Sequence, residues 1–225
     1  FIRIIVSFIK YLLVTALMAV TFVGSFAGTR VVEDYMSYHS PRAYTHHIVS
    51  DHGAGSMVVL APGLGLTAAH VTGPAGVGFT VEGKPIKILK YDATLDLTLF
   101  EVDLPCPCAP IGTLPYPDEK VVAVGYPLSA GQFATEGRIQ DYSFKETRLE
   151  TSVPIMFGNS GGPLFAFQDF RWKLVGIMVQ VHGTNLGFLG VPIPTMSRAV
   201  PVTNILEFIH RASPIGHCNK SKVSS

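Results

Sequence analysis

The stretch Leu104-Pro105-Cys106-Pro107-Cys108-Ala109-Pro110-Ile111-Gly112-Thr113-Leu114-Pro115-Tyr116-Pro117-Asp118 contains five prolines. Proline fixes φ and lacks an N–H, so this run cannot be a central strand or a helix interior. It reads as a linker over residues 104–118, with short apolar runs on both sides. Before it lie Ser56 to Ala61, Gly65 to Ala69, Val77 to Val81, Ile86 to Tyr91 and Leu97 to Val102. After it lie Lys120 to Gly125, Gln132 to Ile139, Thr147 to Thr151, Pro163 to Phe167, Lys173 to Val181 and Ala199 to Val202. Each is punctuated by Gly, Pro or Asp and is near the ~5–6 residues of a globular-protein strand. The pattern predicts two β-units, 28–103 and 119–202. A helix is expected over 203–212, followed by a tail over 213–225. Asn204 is its expected N-cap, with Glu207 as capping-box partner. Ile205, Leu206, Phe208 and Ile209 recur at helical spacing.

Across 225 residues the chain carries 17 Lys+Arg and 16 Asp+Glu, 15% charged and 48% hydrophobic residues, with 22 Gly and 16 Pro. That apolar content excludes a disordered chain. The Gly and Pro content excludes a long coiled coil. A net charge of +1 without a basic run is not that of a nucleic-acid binder. The charge is unevenly placed. Residues 1–27 hold only Arg3 and Lys10, and without those two the chain carries 15 basic against 16 acidic residues. Basic residues precede the apolar run Leu12 to Val20, and Ser25-Phe26-Ala27 offers small residues where a signal peptidase reads. The uncharged stretch is also long enough for a membrane anchor. Residues 1–27 are therefore expected to be a signal peptide or a hydrophobic anchoring helix, giving an extracytoplasmic or membrane-anchored protein. The start at Phe1 rather than Met also fits a segment of a longer, membrane-associated viral polyprotein.

Cys106, Cys108 and Cys218 do not form an even disulfide framework. His39, His46, His47 and His52 lack the paired spacing of a zinc site, so neither metal nor cofactor is expected.

Three local motifs carry chemistry: Leu66-Thr67-Ala68-Ala69-His70, Asp96-Leu97-Thr98-Leu99-Phe100 and Gly158-Asn159-Ser160-Gly161-Gly162-Pro163. A serine hydroxyl is a weak nucleophile at neutral pH. It needs a base within hydrogen-bond reach, and the base needs an orienting partner. His70 and Asp96 supply those residue types, with Asp92 as a rival orienter. The glycines permit a sharp turn in which the N–H groups of Gly158 and Ser160 can converge on one point, an oxyanion hole.

In that order, the motifs resemble those of chymotrypsin/trypsin-like serine endopeptidases over roughly Gly53 to Arg211. The resemblance implies an all-β fold of two six-stranded antiparallel barrels with a C-terminal helix, and a site in the cleft between the barrels. It makes His70 the base, Asp96 its orienter and Ser160 the nucleophile that is acylated. It also implies a primary substrate pocket involving Pro154, Ile155, Met178, Val179 and Gln180. Ile155 and Met178 suggest cleavage after a small or medium apolar residue, and His182 and Arg198 the alternative of an acidic one. Asn159 stands where zymogens of the pancreatic type carry Asp. The spacings of 26 and then 64 residues between the three resemble compact bacterial, phage and viral members, including the protease domain of the HtrA group.

A polypeptide is the expected partner. The competing readings are a catalytically inactive binding protein on the same fold and a non-proteolytic acyl hydrolase. Gly158-Asn159-Ser160-Gly161-Gly162 formally fits the hydrolase elbow, but the α/β-hydrolase order is Ser, acid, His, and here His70 and Asp96 come first.

Overall fold

The computed structural model describes residues 40–50, 53–74, 79–105, 107–143, 147–185 and 192–211. The expected N-terminal hydrophobic segment 1–27 and the tail 213–225 lie outside them. The first β-unit contains β1 (Thr45–Ser50), β2 (Gly53–Ala61), β3 (Leu64–Thr67), β4 (Thr80–Val81), β5 (Lys84–Pro85), β6 (Lys87–Asp92) and β7 (Leu97–Glu101). They form one antiparallel sheet in the order β5-β4-β1-β2-β3-β7-β6. Where a six-stranded barrel was expected, the described strands form a seven-stranded half-barrel sheet with β5 and β6 at its edges, β4 and β5 adding a small hairpin that turns at Glu82 and Gly83. The second unit contains β8 (Lys120–Gly125), β9 (Phe133–Ser143), β10 (Arg148–Thr151), β11 (Pro163–Gln168), β12 (Arg171–Asn185) and β13 (Pro192–Pro201). These six close into an antiparallel barrel in the order β10-β13-β12-β11-β8-β9.

The period of two along each strand divides the core into layers. Val121 and Ala123 of β8 point into the second barrel with Ile139, Leu149, Leu164, Val175 and Ala199. Val122 and Val124 point outward and pack with Leu97, Leu99, Phe165, Leu174 and Ile177 between the two units. In β7 the faces likewise split. Leu97 and Leu99 join that shared layer, and Phe100 enters the first unit's own core with Ile48, Met57 and Val59. Strands buried on both faces read as continuous apolar runs, and that is how β7 and β8 stand out in the sequence.

The proline-rich segment is fastened to both units. Ala109 N–H donates to Val59 O at 2.9 Å, and Gly112 N–H to Leu174 O at 2.9 Å. Cys108 is disulfide-bonded, its partner lying outside the described residues.

A four-residue helical turn, α1 (Ala69–Thr72), follows β3, and α2 (Val202–His210) follows β13. The expected cap at Asn204 is corrected: Pro201 is the N-cap, and Asn204 lies inside the first turn. β13 runs directly into α2, so no polar capping residue separates them. Glu207 instead pairs with Arg211. Helix α2 buries Ile205 and Phe208 in the shared layer, and Lys90 Nζ of β6 donates to Phe208 O at 2.8 Å. A cation beside the last helical carbonyls is favoured by the helix dipole.

Phe165 is fully buried in the layer common to both units, whereas Phe170 is 94% exposed. Phe165→Ala is expected to cost about 3–5 kcal/mol in urea unfolding, from lost burial and a residual cavity. Phe170→Ala should stay within about 0.5 kcal/mol.

Candidate active site

Sheet register brings His70 and Asp96 together. β3 and β7 pair antiparallel, with Thr67 opposite Thr98. The chain leaving β3 toward His70 and the chain entering β7 through Asp96 therefore meet at one end of the sheet. Thr72 of α1 reinforces this junction through a 2.8 Å hydroxyl–hydroxyl hydrogen bond to Thr98. Asp96 then holds His70 twice. Its Oδ1 accepts from the His70 backbone N–H at 2.9 Å, and its Oδ2 contacts His70 Nδ1 at 2.8 Å. The first contact also satisfies a free N–H at the start of α1, where Ala68 offers no side-chain cap.

Burial pushes the Asp96 carboxyl up, but the hydrogen bonds and charge of His70, with the nearby Arg148 guanidinium, outweigh it and hold the group below the usual carboxylate value. An ionised carboxylate only accepts hydrogen bonds, so the contact with Asp96 places a proton on His70 Nδ1. The His70 side chain is 47% exposed. Asp92 is used otherwise. Its Oδ1 accepts from Thr94 N–H and Leu95 N–H, both at 2.9 Å, and so shapes the turn before Asp96.

The Gly158-to-Gly162 loop comes from the second unit and is fastened to the first by Ser56, a fully buried residue of β2. Ser56 N–H donates to Ser160 O at 2.8 Å, and Ser56 Oγ donates to Gly158 O at 2.7 Å. The same Oγ accepts from Tyr126 N–H at 2.9 Å, and Ser56 O accepts from Thr67 Oγ1 at 2.7 Å. A β-carbon on Gly55 would lie 2.8 Å from Val71 Cγ1 and 3.0 Å from Ser160 O. Val71 is the neighbour of His70 in α1, so the serine loop lies beside the helix turn that bears the imidazole.

Two glycines are sterically required here. Gly158 has φ +94° and Gly161 φ +80°, in the left-handed region. A β-carbon at Gly158 would run into Tyr126 O, and one at Gly161 into Thr67 Oγ1 and Ser56 O. Within the loop, Asn159 N–H donates to Met156 O, Gly161 N–H to Met178 O and Gly162 N–H to Asn159 O. Among the described residues the N–H groups of Gly158 and Ser160 donate to no backbone carbonyl. The Asn159 side chain is buried against Gly125, with Oδ1 making no hydrogen bond among the described residues.

The five residues expected around a primary pocket divide by burial. Ile155 and Met178 lie in the second barrel's core and Val179 in the layer between the units. Pro154 and Gln180 are exposed, as are Met156 (53%) and Phe157 (82%) beside them. Arg198 Nε donates to Glu150 Oε1 at 2.6 Å. His46 and His47 of β1 have local partners: His46 meets Glu82 at 2.6 Å and His47 stacks on Tyr126. Among the described residues no group of three or more His, Cys, Asp or Glu side chains is arranged to hold a metal.

Comparison with known proteins agrees with this architecture. Residues 53–177 match the trypsin-like peptidase domain, and the chain belongs to that family. A probable periplasmic serine endoprotease, DegP-like, of Hahella chejuensis is 33% identical over 104 residues, covering 44% of this chain and 20% of that protein. Its counterpart from Pseudomonas fluorescens is 29% identical over 128 residues, covering 54% and 21%. The matched part thus spans about a fifth of the length of these curated relatives. Among solved structures, a serine endoprotease from Yersinia pestis superposes with a TM-score of 0.66 at 21% identity, covering 79% of this chain and 64% of that one. The HtrA-type protease AlgW, solved with a tripeptide, gives 0.63 at 22% identity, covering 78% and 61%. These structural likenesses speak for the fold.

Ser56→Ala would leave Gly158 O and Tyr126 N–H without their shared hydroxyl. We expect a loss of about 1–3 kcal/mol in urea unfolding, the cost of stranding buried polar groups. Faster amide hydrogen exchange at Tyr126 should accompany it.

Proposed function

We propose that the chain is a serine endopeptidase in which Ser160, His70 and Asp96 act as nucleophile, general base and orienting acid. The observation that carries this reading is the double hold of Asp96 on His70, with a glycine-turned serine loop fastened alongside. In the proposed cycle, His70 Nε2 takes the Ser160 Oγ proton as that oxygen attacks the peptide carbonyl. Asp96 keeps the proton on Nδ1 and stabilises the imidazolium that forms. The carbonyl oxygen becomes an oxyanion, met by the N–H groups of Gly158 and Ser160, the two loop amides left over for that task. Collapse passes the proton from His70 to the leaving amine and leaves an acyl ester on Ser160. His70 then draws a proton from water, which attacks the ester and frees the serine.

The proposed substrate is a polypeptide cleaved after a small or medium apolar residue. The exposed side chains flanking the loop, Pro154, Met156, Phe157 and Gln180, are uncharged. Arg198 is engaged with Glu150, so it is poorly placed to draw an acidic side chain into the site. An extracytoplasmic location fits the two relatives named periplasmic and the leader-like composition of residues 1–27.

A fluorophosphonate probe should label the wild type at neutral pH and not Ser160→Ala. Turnover should fall by about 10⁶ in Ser160→Ala and by about 10⁴ in Asp96→Asn, the scale seen when the imidazole loses its tautomer control. An unlabelled wild type would support a binding protein instead. Cleavage of esters with no cleavage of a random peptide library would support an acyl hydrolase. Dominant acidic or basic residues at the cleaved position would overturn the apolar preference.

Asp96 also makes stability depend on pH. Its carboxyl titrates lower in the folded chain than in the unfolded one, so its contribution is complete above the unfolded value of about 3.9. That contribution fades as pH falls through the lowered folded value. Urea titrations across acid pH should show a smaller loss of stability in Asp96→Asn than in the wild type.

A further inference from the structure

Asp96 has a backbone φ of +60°, in the left-handed region that an L-residue enters at a cost. Such a conformation persists where the surroundings over-determine it. The turn before Asp96 is held on both its polar edges. Asp92 takes the N–H groups of Thr94 and Leu95. The carbonyls of the same two residues are taken from the other barrel: Arg148 Nη2 donates to Thr94 O and to Leu95 O, each at 3.2 Å, while Nη1 donates to Thr147 O at 3.2 Å. Arg148 is the first residue of β10, and β10 leads through Thr151 directly into the loop that bears Ser160.

From this geometry we infer that Arg148 is a positioning residue, which reaches from the second unit to fix the turn presenting Asp96 and so registers the acid of the first unit against the serine loop of the second. The inference rests on the peptidase reading and adds a residue to it. Arg148 works through carbonyl oxygens two and one residues ahead of the acid, and through its charge. Neither contact follows from a sequence motif. The charged groups facing Asp96 are His70 from α1 and Arg148 from β10, and Asp92 lies in the same turn, engaged with backbone amides. Arg148 is one of the influences holding the Asp96 carboxyl low, so its removal lets that carboxyl titrate at higher pH.

The test compares wild type, R148M and R148K by two readouts: the rate of fluorophosphonate labelling, and the Asp96 titration midpoint from carboxyl-labelled aspartate in carbon NMR. R148M should label about 10- to 100-fold more slowly, the range expected when a catalytic group is displaced by a fraction of an ångström to one ångström. Its Asp96 midpoint should rise. R148K keeps the charge but not the planar fork, so its midpoint should return toward wild type while its labelling recovers only in part. A merely structural role would leave the midpoint unmoved in a folded R148M, and that result would overturn the inference, as would R148K performing no better than R148M. Should R148M fail to fold, R148K decides alone: a wild-type labelling rate contradicts the inference, and a slowed rate at an unchanged midpoint supports it. An inert wild type whose Asp96 midpoint still rises in R148M would sink the peptidase reading and leave Arg148 in its assigned role. An active wild type matched by R148M in both readouts would do the reverse.

Discussion

Everything in the candidate site depends on one buried residue of the first β-unit, Ser56, gripping a loop of the second. Its amide and hydroxyl bind the carbonyls of Ser160 and Gly158, and its own carbonyl is held by Thr67. Thr67 ends the strand that leads to His70. A single side chain and its peptide therefore connect the serine loop, the Tyr126 turn and the histidine-bearing strand. Buried polar groups of this kind add modest net stability when satisfied but are costly when broken, so they fix geometry more than they add to stability. The apolar layer shared by the two units supplies the adhesion, and Ser56 sets the alignment.

That division of labour explains where strain is tolerated. Gly158, Gly161 and Asp96 all occupy left-handed backbone, and all three lie in segments pinned by hydrogen bonds from elsewhere in the fold. The glycines bear this without a steric penalty. Asp96 has a β-carbon and relies on Asp92 and Arg148 to keep its turn in place. Around the candidate site His70 is half-exposed, and Met156 and Phe157 are exposed.

Much of this was legible in the sequence, because the decisive signals are local. Prolines 105 to 117 marked the joint, runs such as Leu97 to Phe100 and Val121 to Val124 marked doubly buried strands, and the glycines around Ser160 marked a tight loop. What escaped was long-range. β1, Thr-His-His-Ile-Val-Ser, carries too many polar residues to announce itself, and becomes a strand through its pairing with β2. The cap of α2 was misplaced because β13 enters the helix without a break. Ile155, in the segment after β10, and Met178 of β12 both lie in the second unit's core, a burial that no local pattern announced. Asp92 and Asp96 both stood as candidates to orient His70, and their distinct tasks emerge only in the folded chain, where Asp96 holds His70 and Asp92 holds the turn before it. Arg148 had no local signal at all, being a lone cation at the start of a strand.

In the proposed site the Ser56 grip holds Ser160 with its own amide and that of Gly158 aimed at one point beside His70. A crystal structure of the chain after reaction with a fluorophosphonate tests this most directly. Phosphorus is expected bonded to Ser160 Oγ, with its oxygen about 2.7–3.1 Å from the backbone nitrogens of both Gly158 and Ser160. An adduct on another residue, or a phosphoryl oxygen turned to solvent away from both amides, would contradict it.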